Sequence, residues 1–214
     1  MLQTAMRYSH TLLQEVVKPG QTVVDATMGN GHDTELLATL VGPEGKVYAF
    51  DIQEQAVTTT KERLLAKGLL PQVELIHQGH ETVADYVPDA VHAAIFNLGY
   101  LPKSDKKIIT LPETTEQALQ ALIQRIVPCG RIILVCYYGH EGGPEELEAV
   151  HRFCRQLPQA QFNVLSYQFI NQRNQPPVLF CIERKKHQRT VDYSSVSDVF
   201  YFPSTSQFNT RWIH

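Results

Sequence analysis

Residues 23–34 are Val-Val-Asp-Ala-Thr-Met-Gly-Asn-Gly-His-Asp-Thr, a pattern that predicts a buried strand, a glycine loop and the start of a helix. The apolar residues before Asp25 are typical of a parallel strand that is covered on both faces. Gly29 and Gly31 allow the backbone to turn sharply and to approach a ligand closely. The stretch therefore predicts the first strand–loop–helix unit of a nucleotide-binding α/β fold.

A second acidic residue follows at the spacing that such folds use for a ribose. Asp51 lies twenty residues after Gly31 and directly follows the next apolar run, residues 47–50. In a βαβ crevice, a carboxylate at this spacing lies beside the ribose hydroxyls of the ligand. The chain is therefore expected to bind a cofactor that contains adenosine.

The chemistry of the loop favours S-adenosylmethionine over NAD. The third glycine of a dinucleotide fingerprint would fall at Thr34, and Asp33 stands where the helix should open. Because a helix N-terminus attracts anions, a carboxylate there would cap the helix but repel a pyrophosphate. S-adenosylmethionine has no phosphate and carries a sulfonium and an ammonium. An NAD-dependent oxidoreductase stays as an alternative from a different class.

Composition indicates one soluble domain. The chain has 214 residues, of which 43% are hydrophobic and 19% charged, and this is ordinary for a globular protein. The net charge of −3 argues against tight nonspecific binding of nucleic acid. We find neither a membrane-spanning run nor a signal-peptide pattern, so the expected location is the cytoplasm, with no membrane partner. The cysteines form no close pair and the histidines show no metal-ligand spacing, so we expect reduced cysteines and no metal.

The predicted elements alternate between strands and helices. The predicted strands are residues 22–26, 46–51, 73–77, 91–96, 131–136, 162–169 and 178–183. The predicted helices are residues 3–17, 33–40, 53–68, 82–86, 110–126 and 143–157. This order predicts a doubly wound, Rossmann-like α/β sheet of seven strands, mostly parallel. The last two strands lack an intervening helix, so an antiparallel edge strand is expected.

Several local signals predict where elements begin and end. Thr110-Leu111-Pro112-Glu113 resembles a capping box with an early proline. Pro128-Cys129-Gly130 predicts a turn before the fifth strand, and Gly68 predicts a helix C-cap. The domain is expected to cover residues 1–186. The tail, residues 187–214, could dock on the domain, exchange with a neighbouring chain or be disordered, and its role stays open.

The end of the fourth strand carries a second candidate site. Asn97 is followed by Tyr100 and Pro102, an order that resembles the aspartate/asparagine–proline–proline–aromatic motif of amino-methyltransferases. An asparagine carbonyl can accept an N–H bond from a nitrogen nucleophile and hold its lone pair toward the methyl group. Tyr100 could stack on a base or an adenine. The alternative is a turn in which Asn97 only caps backbone groups.

Further candidates follow the other strands. Tyr138, His140 and Glu141 come after the fifth strand and can face the substrate, and His140 could take or relay a proton near neutral pH. Asn171 and Arg173 belong to a loop that could bind a base or phosphate, or could be a plain polar hairpin. The full set predicted to bind the cofactor is Asp25, Thr27, Gly29, Asn30, Gly31, Asp33, Asp51, Gln53, Gly79 and His80.

Together these segments resemble a family of small bacterial class I S-adenosylmethionine-dependent methyltransferases formerly called "putative rRNA methylase". The matching segments are residues 25–34, 50–53, 96–102, 138–142, 169–172 and 176–177. The resemblance covers about residues 5–186, and the combination of motifs is more specific than any one of them. Lys103 and Ser104 stand where the family often has two glycines, and the tail lies outside the family pattern.

The resemblance implies a tRNA modification enzyme. The family is associated with methylation of 5-aminomethyl-2-thiouridine at the wobble position, so the implied partner is a tRNA anticodon stem-loop, and a homodimer is possible. An aliphatic amine is largely protonated at neutral pH, so the site must favour the neutral form and accept a proton. His140, Glu141 or water would take it. The alternatives are methylation of another nitrogen in rRNA, DNA or a small molecule, and a noncatalytic RNA-binding scaffold.

Overall fold

The computed structural model describes residues 1–99 and 109–186. Within them the strands are β1 (Thr22–Asp25), β2 (Lys46–Phe50), β3 (Val73–Ile76), β4 (Val91–Leu98), β5 (Ile126–Cys136), β6 (Phe162–Tyr167) and β7 (Val178–Arg184). The α-helices are α1 (Ala5–Val16), α2 (His32–Val41), α3 (Glu54–Lys67), α4 (Val83–Tyr86), α5 (Pro112–Arg125) and α6 (Gly143–Gln156). Tyr100 and the tail from residue 187 onward lie outside the described residues.

The strands form one sheet in the order β3-β2-β1-β4-β5-β7-β6. The pairs from β3 through β5 are parallel, whereas β7 runs antiparallel to both β5 and β6. This confirms the predicted doubly wound, mostly parallel sheet with antiparallel pairing at one edge. The reversed strand is β7, and β6 lies outside it. The strand order reverses between β1 and β4, which opens a crevice at their carboxyl ends, where such folds bind ligands.

Helices cover both faces of the sheet, which explains why its strands are almost continuously apolar. Along β4, Ala93 and Ile95 pack toward α1, α2 and α3, whereas Ala94 and Phe96 pack toward α4, α5 and α6. The helices contribute Leu13, Leu37 and Leu64 to the first cluster and Val83, Leu119 and Val150 to the second, all fully buried. The central strands are thus fixed on both sides, and the groups at their carboxyl ends have a rigid base.

The N-terminal helix α1 is tied to the far half of the sheet by Arg131 on β5. Its guanidinium donates to the Glu15 carboxylate at 2.6 Å, to the Leu12 carbonyl at 3.0 Å and to the Glu183 carboxylate on β7 at 3.0 Å. The helix begins at Thr4, whose hydroxyl accepts from the Arg7 amide at 3.3 Å. These bonds place the first turns of α1 over the crevice.

Two predicted boundaries at the ends of α5 are wrong. The N-cap of α5 is Leu111, whose apolar side chain cannot make a cap bond, and the Thr110 hydroxyl bonds to Gly99 and Glu146 instead of capping the helix. Pro128-Cys129-Gly130 does not form a separate turn, because β5 already begins at Ile126. The segment is an irregularity inside the strand: the register with β4 shifts between Val91 and Ala93, and Cys129 has a φ of +66°.

Other boundaries differ by one or two residues. β4 continues to Leu98 rather than residue 96, so Asn97 belongs to the strand, and β6 ends at Tyr167 rather than residue 169. The predicted C-cap is confirmed, since α3 ends at Gly68 in the left-handed conformation. Asp33 does not cap α2: the N-cap is Gly31, which makes no side-chain bond, and the Asp33 carboxylate has other partners.

The four cysteines, which all lie in described segments, are free thiols, and Cys136, Cys154 and Cys181 are buried. Burial raises the pKa of Cys154 and of Cys181 to about 12, so these thiols stay protonated and unreactive. The prediction of reduced core cysteines is confirmed for these three.

Over residues 1–99 and 109–186, none of the helices combines the length and apolar character that a membrane span requires.

Candidate active site

A cavity of about 920 Å³ opens at the carboxyl ends of the central strands, within the size range of small-molecule sites. Its wall is formed by residues that follow the strands β1 to β6, together with the first turns of α1 and α5. The predicted site residues found in this wall are Thr27, Gly29, Asn30, Asp33, Asp51, Gln53, Gly79, His80, Asn97, Tyr138 and His140. The structure therefore brings together most of the residues that the sequence singled out, and they come from five separate segments.

Asn97 is fixed at the point where the strand order reverses. Its backbone amide donates to the Thr27 hydroxyl at 2.7 Å, a bond that crosses from β4 to the loop after β1. Its side-chain Nδ2 donates to the Asp33 carboxylate. Asn97 Oδ1 is buried and has no hydrogen-bond partner among the described residues. A buried acceptor of this kind is costly unless a ligand satisfies it, so the cavity presents a hydrogen-bond acceptor.

Asp33 joins Asn97 to a residue that sequence analysis did not select. One carboxylate oxygen of Asp33 accepts from Asn97, and the other lies 2.5 Å from Nε2 of His10 on α1. The Asp33 side chain is 9% exposed and that of His10 is 33% exposed. The hydrogen bond to Asp33 raises the pKa of His10 above its ordinary value, against the opposing effect of burial.

Two further carboxylates support the glycine loop. Asp51 accepts from the Gly29 amide at 3.0 Å and from the Gln53 amide at 2.9 Å, and burial raises its pKa. Asp25 is fully buried and accepts from the Thr27 amide at 3.1 Å and the Thr34 hydroxyl at 2.6 Å. Burial, with the Asp33 charge nearby, raises the pKa of Asp25 well above its usual range. Asp25 thus supports the loop from behind, whereas Asp51 lies in the cavity wall.

The glycine loop is also held from α3. Thr60 Oγ1 donates to the Gly29 carbonyl at 3.0 Å, and Arg63 Nε donates to the Asn30 carbonyl at 2.8 Å. Gly31 turns away from the cavity and lies against Thr60 at a φ of +79°. Gly31 therefore shapes the loop rather than lining the cavity. Thr60 and Arg63 carry no sequence signal that would have selected them, because both belong to an ordinary amphipathic helix.

His80 lies in the cavity wall and is also bonded inside the fold. Its Nδ1 lies 3.1 Å from the Ala26 carbonyl and its Nε2 lies 3.4 Å from the Thr115 hydroxyl. The ring packs edge-on against Phe96 with centroids 5.5 Å apart. Burial lowers the pKa of His80, so it stays neutral. The Nδ1 bond and the packing against Phe96 fix the ring inside the fold, and the predicted contact of His80 with adenine, by hydrogen bonding or stacking, stays a prediction.

Three predicted substrate residues lie outside the cavity. Glu141, Asn171 and Arg173 are exposed on the surface, where only a larger substrate would contact them. Asn174 and Gln175, which belong to the same loop as Asn171 and Arg173, line the cavity wall instead. Both have positive φ values, +66° and +48°, and such strained backbone is concentrated at functional sites. Among the wall residues that the sequence analysis did not select are Met6, His10, Tyr137, Asn174 and Gln175.

Thr110 links the end of β4 to α6. The Thr110 hydroxyl accepts from the Gly99 amide at 2.9 Å and donates to the Glu146 carboxylate at 2.5 Å. The Thr110 amide donates back to the Gly99 carbonyl at 3.0 Å. Glu146 is 2% exposed and also accepts from the Thr115 hydroxyl at 2.8 Å. This contact fixes the backbone two residues after Asn97.

Glu146 should make the stability of the fold depend on pH. Burial raises the pKa of Glu146 in the folded protein, so the folded state binds a proton more readily than the unfolded state. The protein therefore loses stability as pH rises from the pKa of Glu146 in the unfolded chain to its raised pKa in the folded protein. Glu146→Gln should remove this loss, so its unfolding free energy relative to wild type should rise with pH, by at most about 1.4 kcal/mol per pH unit. Urea denaturation between about pH 5 and about pH 8 measures this slope. Glu145→Gln, at the exposed neighbouring position, should follow wild type; an equal slope for both variants would contradict the assignment.

Comparison with known proteins identifies the family. The family model described as "Putative rRNA methylase" matches residues 47–183. The chain belongs to this rRNA methylase family. A relative, the "tRNA (mnm(5)s(2)U34)-methyltransferase, chloroplastic" of Arabidopsis thaliana, is 39% identical over 191 residues, which are 85% of this chain and 70% of that protein.

Solved structures agree with the rRNA methylase family assignment. A crystal structure of a "putative rRNA-methylase" from Clostridium thermocellum has a TM-score of 0.84 and 45% identity, and the match covers 86% of this chain and 99% of that one. A "putative methyltransferase" from Streptococcus mutans in complex with SAH has a TM-score of 0.79 and 42% identity, over 86% and 99% of the two chains. The protein is a class I methyltransferase that uses S-adenosylmethionine.

The cavity fits this cofactor. Its wall offers the Asp33 and Asp51 carboxylates and the unpaired oxygen of Asn97, which suit a cationic ligand with hydroxyl and N–H donors. Over the described part of the chain the wall contains no lysine or arginine that could pair with a pyrophosphate. In the same ranges no cluster of His, Cys, Asp and Glu could hold a metal ion. Asp51 could hold the ribose, and the loop at Gly29 and Asn30 could hold the methionine part.

Proposed function

We propose that the protein methylates the aliphatic amine of 5-aminomethyl-2-thiouridine at the wobble position of tRNA. The observation that carries this proposal is the unpaired Oδ1 of Asn97, a buried acceptor in the cavity wall. An amine that must be methylated has an N–H to give to such an acceptor. The activity for which the Arabidopsis relative is named supports the choice of tRNA and of this nucleoside.

The chain's own residues supply positioning rather than covalent chemistry. Bound S-adenosylmethionine supplies an electrophilic methyl group on a positively charged sulfur. Asn97 accepts an N–H of the neutral amine and so holds its lone pair toward that methyl group. The amine must lose one proton overall, and His140, which lines the cavity near Gly99, is the proposed acceptor. Glu141 is exposed and better placed to pass the proton to water.

The remaining assignments belong to the same proposal. Residues 1–186 form the methyltransferase domain, which acts in the cytoplasm on an anticodon stem-loop whose bases can splay out. Tyr138 lines the cavity and can contact the base, while Asn171 and Arg173 at the surface suit contacts with the RNA beyond it. A homodimer is favoured by the outer edge of β6, where Val164 and Leu165 are 39% and 42% exposed.

Methyl transfer from labelled S-adenosylmethionine tests the substrate. We expect label to enter tRNA that carries the free aminomethyl nucleoside, and mass spectrometry of the digested nucleosides should place one methyl group on that amine. The same tRNA with a fully mature wobble base, and rRNA, serve as matched controls and should stay unlabelled. Labelling of rRNA or of a small amine without labelling of the tRNA would contradict the proposed substrate and favour methylation of another nitrogen.

A further inference from the structure

Three residues from separate elements form one hydrogen-bonded chain beside the cavity. His10 comes from α1, Asp33 from the first turn of α2 and Asn97 from the end of β4. His10 Nε2 lies 2.5 Å from one Asp33 oxygen, and the other Asp33 oxygen accepts from Asn97 Nδ2. All three residues line the cavity. The proposed reaction assigns a role to Asn97 but none to His10.

The orientation of the Asn97 amide depends on Asp33. An ionised carboxylate can only accept hydrogen bonds, so it holds the NH₂ end of the amide and turns the oxygen toward the cavity. A flipped amide would place its oxygen against the carboxylate, where neither group could donate. Movement of the carboxylate away from this position would remove the constraint, because the amide could then rotate and turn its NH₂ group toward the ligand.

His10 is the group that holds the other side of the Asp33 carboxylate. The Asp33 side chain is only 9% exposed, and its two oxygens contact His10 and Asn97. Removing the partner of a buried carboxylate is costly, so without His10 the carboxylate is expected to move toward water. The bond to Asp33 raises the pKa of His10, so the imidazolium that pairs with this carboxylate is favoured.

We propose that His10 is a positioning residue for methyl transfer, which holds the Asp33 carboxylate in place so that Asn97 presents its carbonyl oxygen to the nucleophile. The inference rests on the proposed function, since an amine is the group that uses this acceptor. It also gives α1 a role in the site: the helix that Arg131 ties to β5 and β7 delivers the side chain that orients Asn97.

Three variants on α1 test the role of His10. His10→Leu removes the donor, His10→Gln keeps an N–H that can reach Asp33, and Gln14→Leu makes an apolar change at an exposed position on the same helix. His10→Leu should lower the single-turnover rate at saturating S-adenosylmethionine by about tenfold or more, the scale of a misplaced catalytic contact. His10→Gln should restore most of the rate, and Gln14→Leu should match wild type.

Two readouts do not depend on turnover. Calorimetry with S-adenosylhomocysteine should give dissociation constants within about threefold of wild type for all three variants, a change of well under 1 kcal/mol. The NMR signals of the Asn97 side-chain amide can be assigned because they disappear in Asn97→Ala. These signals should shift in His10→Leu and return toward their wild-type positions in His10→Gln. These spectra need no tRNA, so they test His10 even if the proposed nucleoside is not the substrate.

Each contrary result has a definite meaning. An unchanged rate and unchanged Asn97 amide signals in His10→Leu would overturn the proposal. A loss confined to cofactor affinity, with a normal rate at saturation, would also overturn it and make His10 part of the cofactor pocket. Failure of the wild-type enzyme to label the tRNA, with the amide signals behaving as expected, would reject the substrate but retain the role of His10.

Discussion

Asn97→Ala should lower methyl transfer to tRNA by about 100-fold or more, the scale expected when a reacting group loses its alignment. Alanine removes Asn97 Oδ1, a buried acceptor with no hydrogen-bond partner among the described residues, together with the N–H that Asp33 accepts. The backbone bond from residue 97 to the Thr27 hydroxyl does not involve the side chain. The end of β4 should therefore keep its position while the nucleophile loses its orienting contact.

The cofactor should still bind to this variant. The Asp51 carboxylate and the glycine loop are held by bonds to Gly29, Gln53, Thr60 and Arg63, none of which involves Asn97. Calorimetry with S-adenosylhomocysteine should therefore give an affinity within about tenfold of wild type, that is about 1.4 kcal/mol. The measurement that matters is the ratio between the loss in single-turnover rate and the loss in cofactor affinity.

Asn163→Ala provides the matched control, because Asn163 is an exposed asparagine on β6, at the far edge of the sheet. It should leave both the rate and the cofactor affinity unchanged. A normal rate in Asn97→Ala would contradict the role given to Oδ1, although it would leave the cofactor assignment intact. Loss of cofactor binding without any further loss of rate at saturation would place Asn97 in the cofactor pocket instead.

The sequence predicted the parts of the site that depend on strand ends. Asp51, Asn97 and His140 each follow an apolar run, and parallel strands bring such ends to one edge of the sheet. The prediction worked because the topology alone places these residues together. It assigned Asp33 to a helix cap, however, since the type of residue at a helix start does not show where its side chain finds a stronger partner.

The sequence did not predict contacts between elements far apart in the chain. His10 belongs to an amphipathic helix whose pattern shows only that one face is buried, and nothing local indicates that it meets a residue twenty-three positions later. Thr110 matches a capping box, yet its hydroxyl bonds to Gly99 and Glu146, a choice that depends on the position of α6. For Thr110, tertiary packing overrode the local capping preference, whereas for His10 there was no local signal to override.

Gly31→Ala should destabilise the protein and weaken cofactor binding. Gly31 has a φ of +79°, and left-handed backbone costs a residue with a Cβ roughly 1–2 kcal/mol. A Cβ there would also lie 2.7 Å from Thr60 Oγ1, 2.9 Å from Thr60 Cγ2 and 3.1 Å from the backbone Cα of Thr60. Overpacking of this kind typically costs a further 1–3 kcal/mol or so, or the loop must move.

Gly68→Ala separates these two costs. Gly68 has a similar φ of +67°, but a Cβ there would meet nothing within 4 Å, and the residue only ends α3. Urea denaturation should show a loss for Gly68→Ala that reflects backbone strain alone, and a loss about 1 kcal/mol or more larger for Gly31→Ala. Cofactor affinity should fall only in Gly31→Ala. Equal losses of stability in the two variants, with equal cofactor affinity, would mean that the loop does not need the close approach of Gly31 to Thr60.

A double-mutant cycle then identifies the contact that requires a glycine at residue 31. Thr60→Ala removes the two nearest atoms that the new Cβ would meet, together with the bond from Thr60 to the Gly29 carbonyl. Because the collision would no longer occur, Gly31→Ala should cost less in the Thr60→Ala background than in wild type, a coupling of about 0.5–3 kcal/mol. The 3.1 Å approach to the Thr60 backbone stays, so the relief should be incomplete. Additive losses would place the constraint in the left-handed backbone of the loop, and not in its packing against α3.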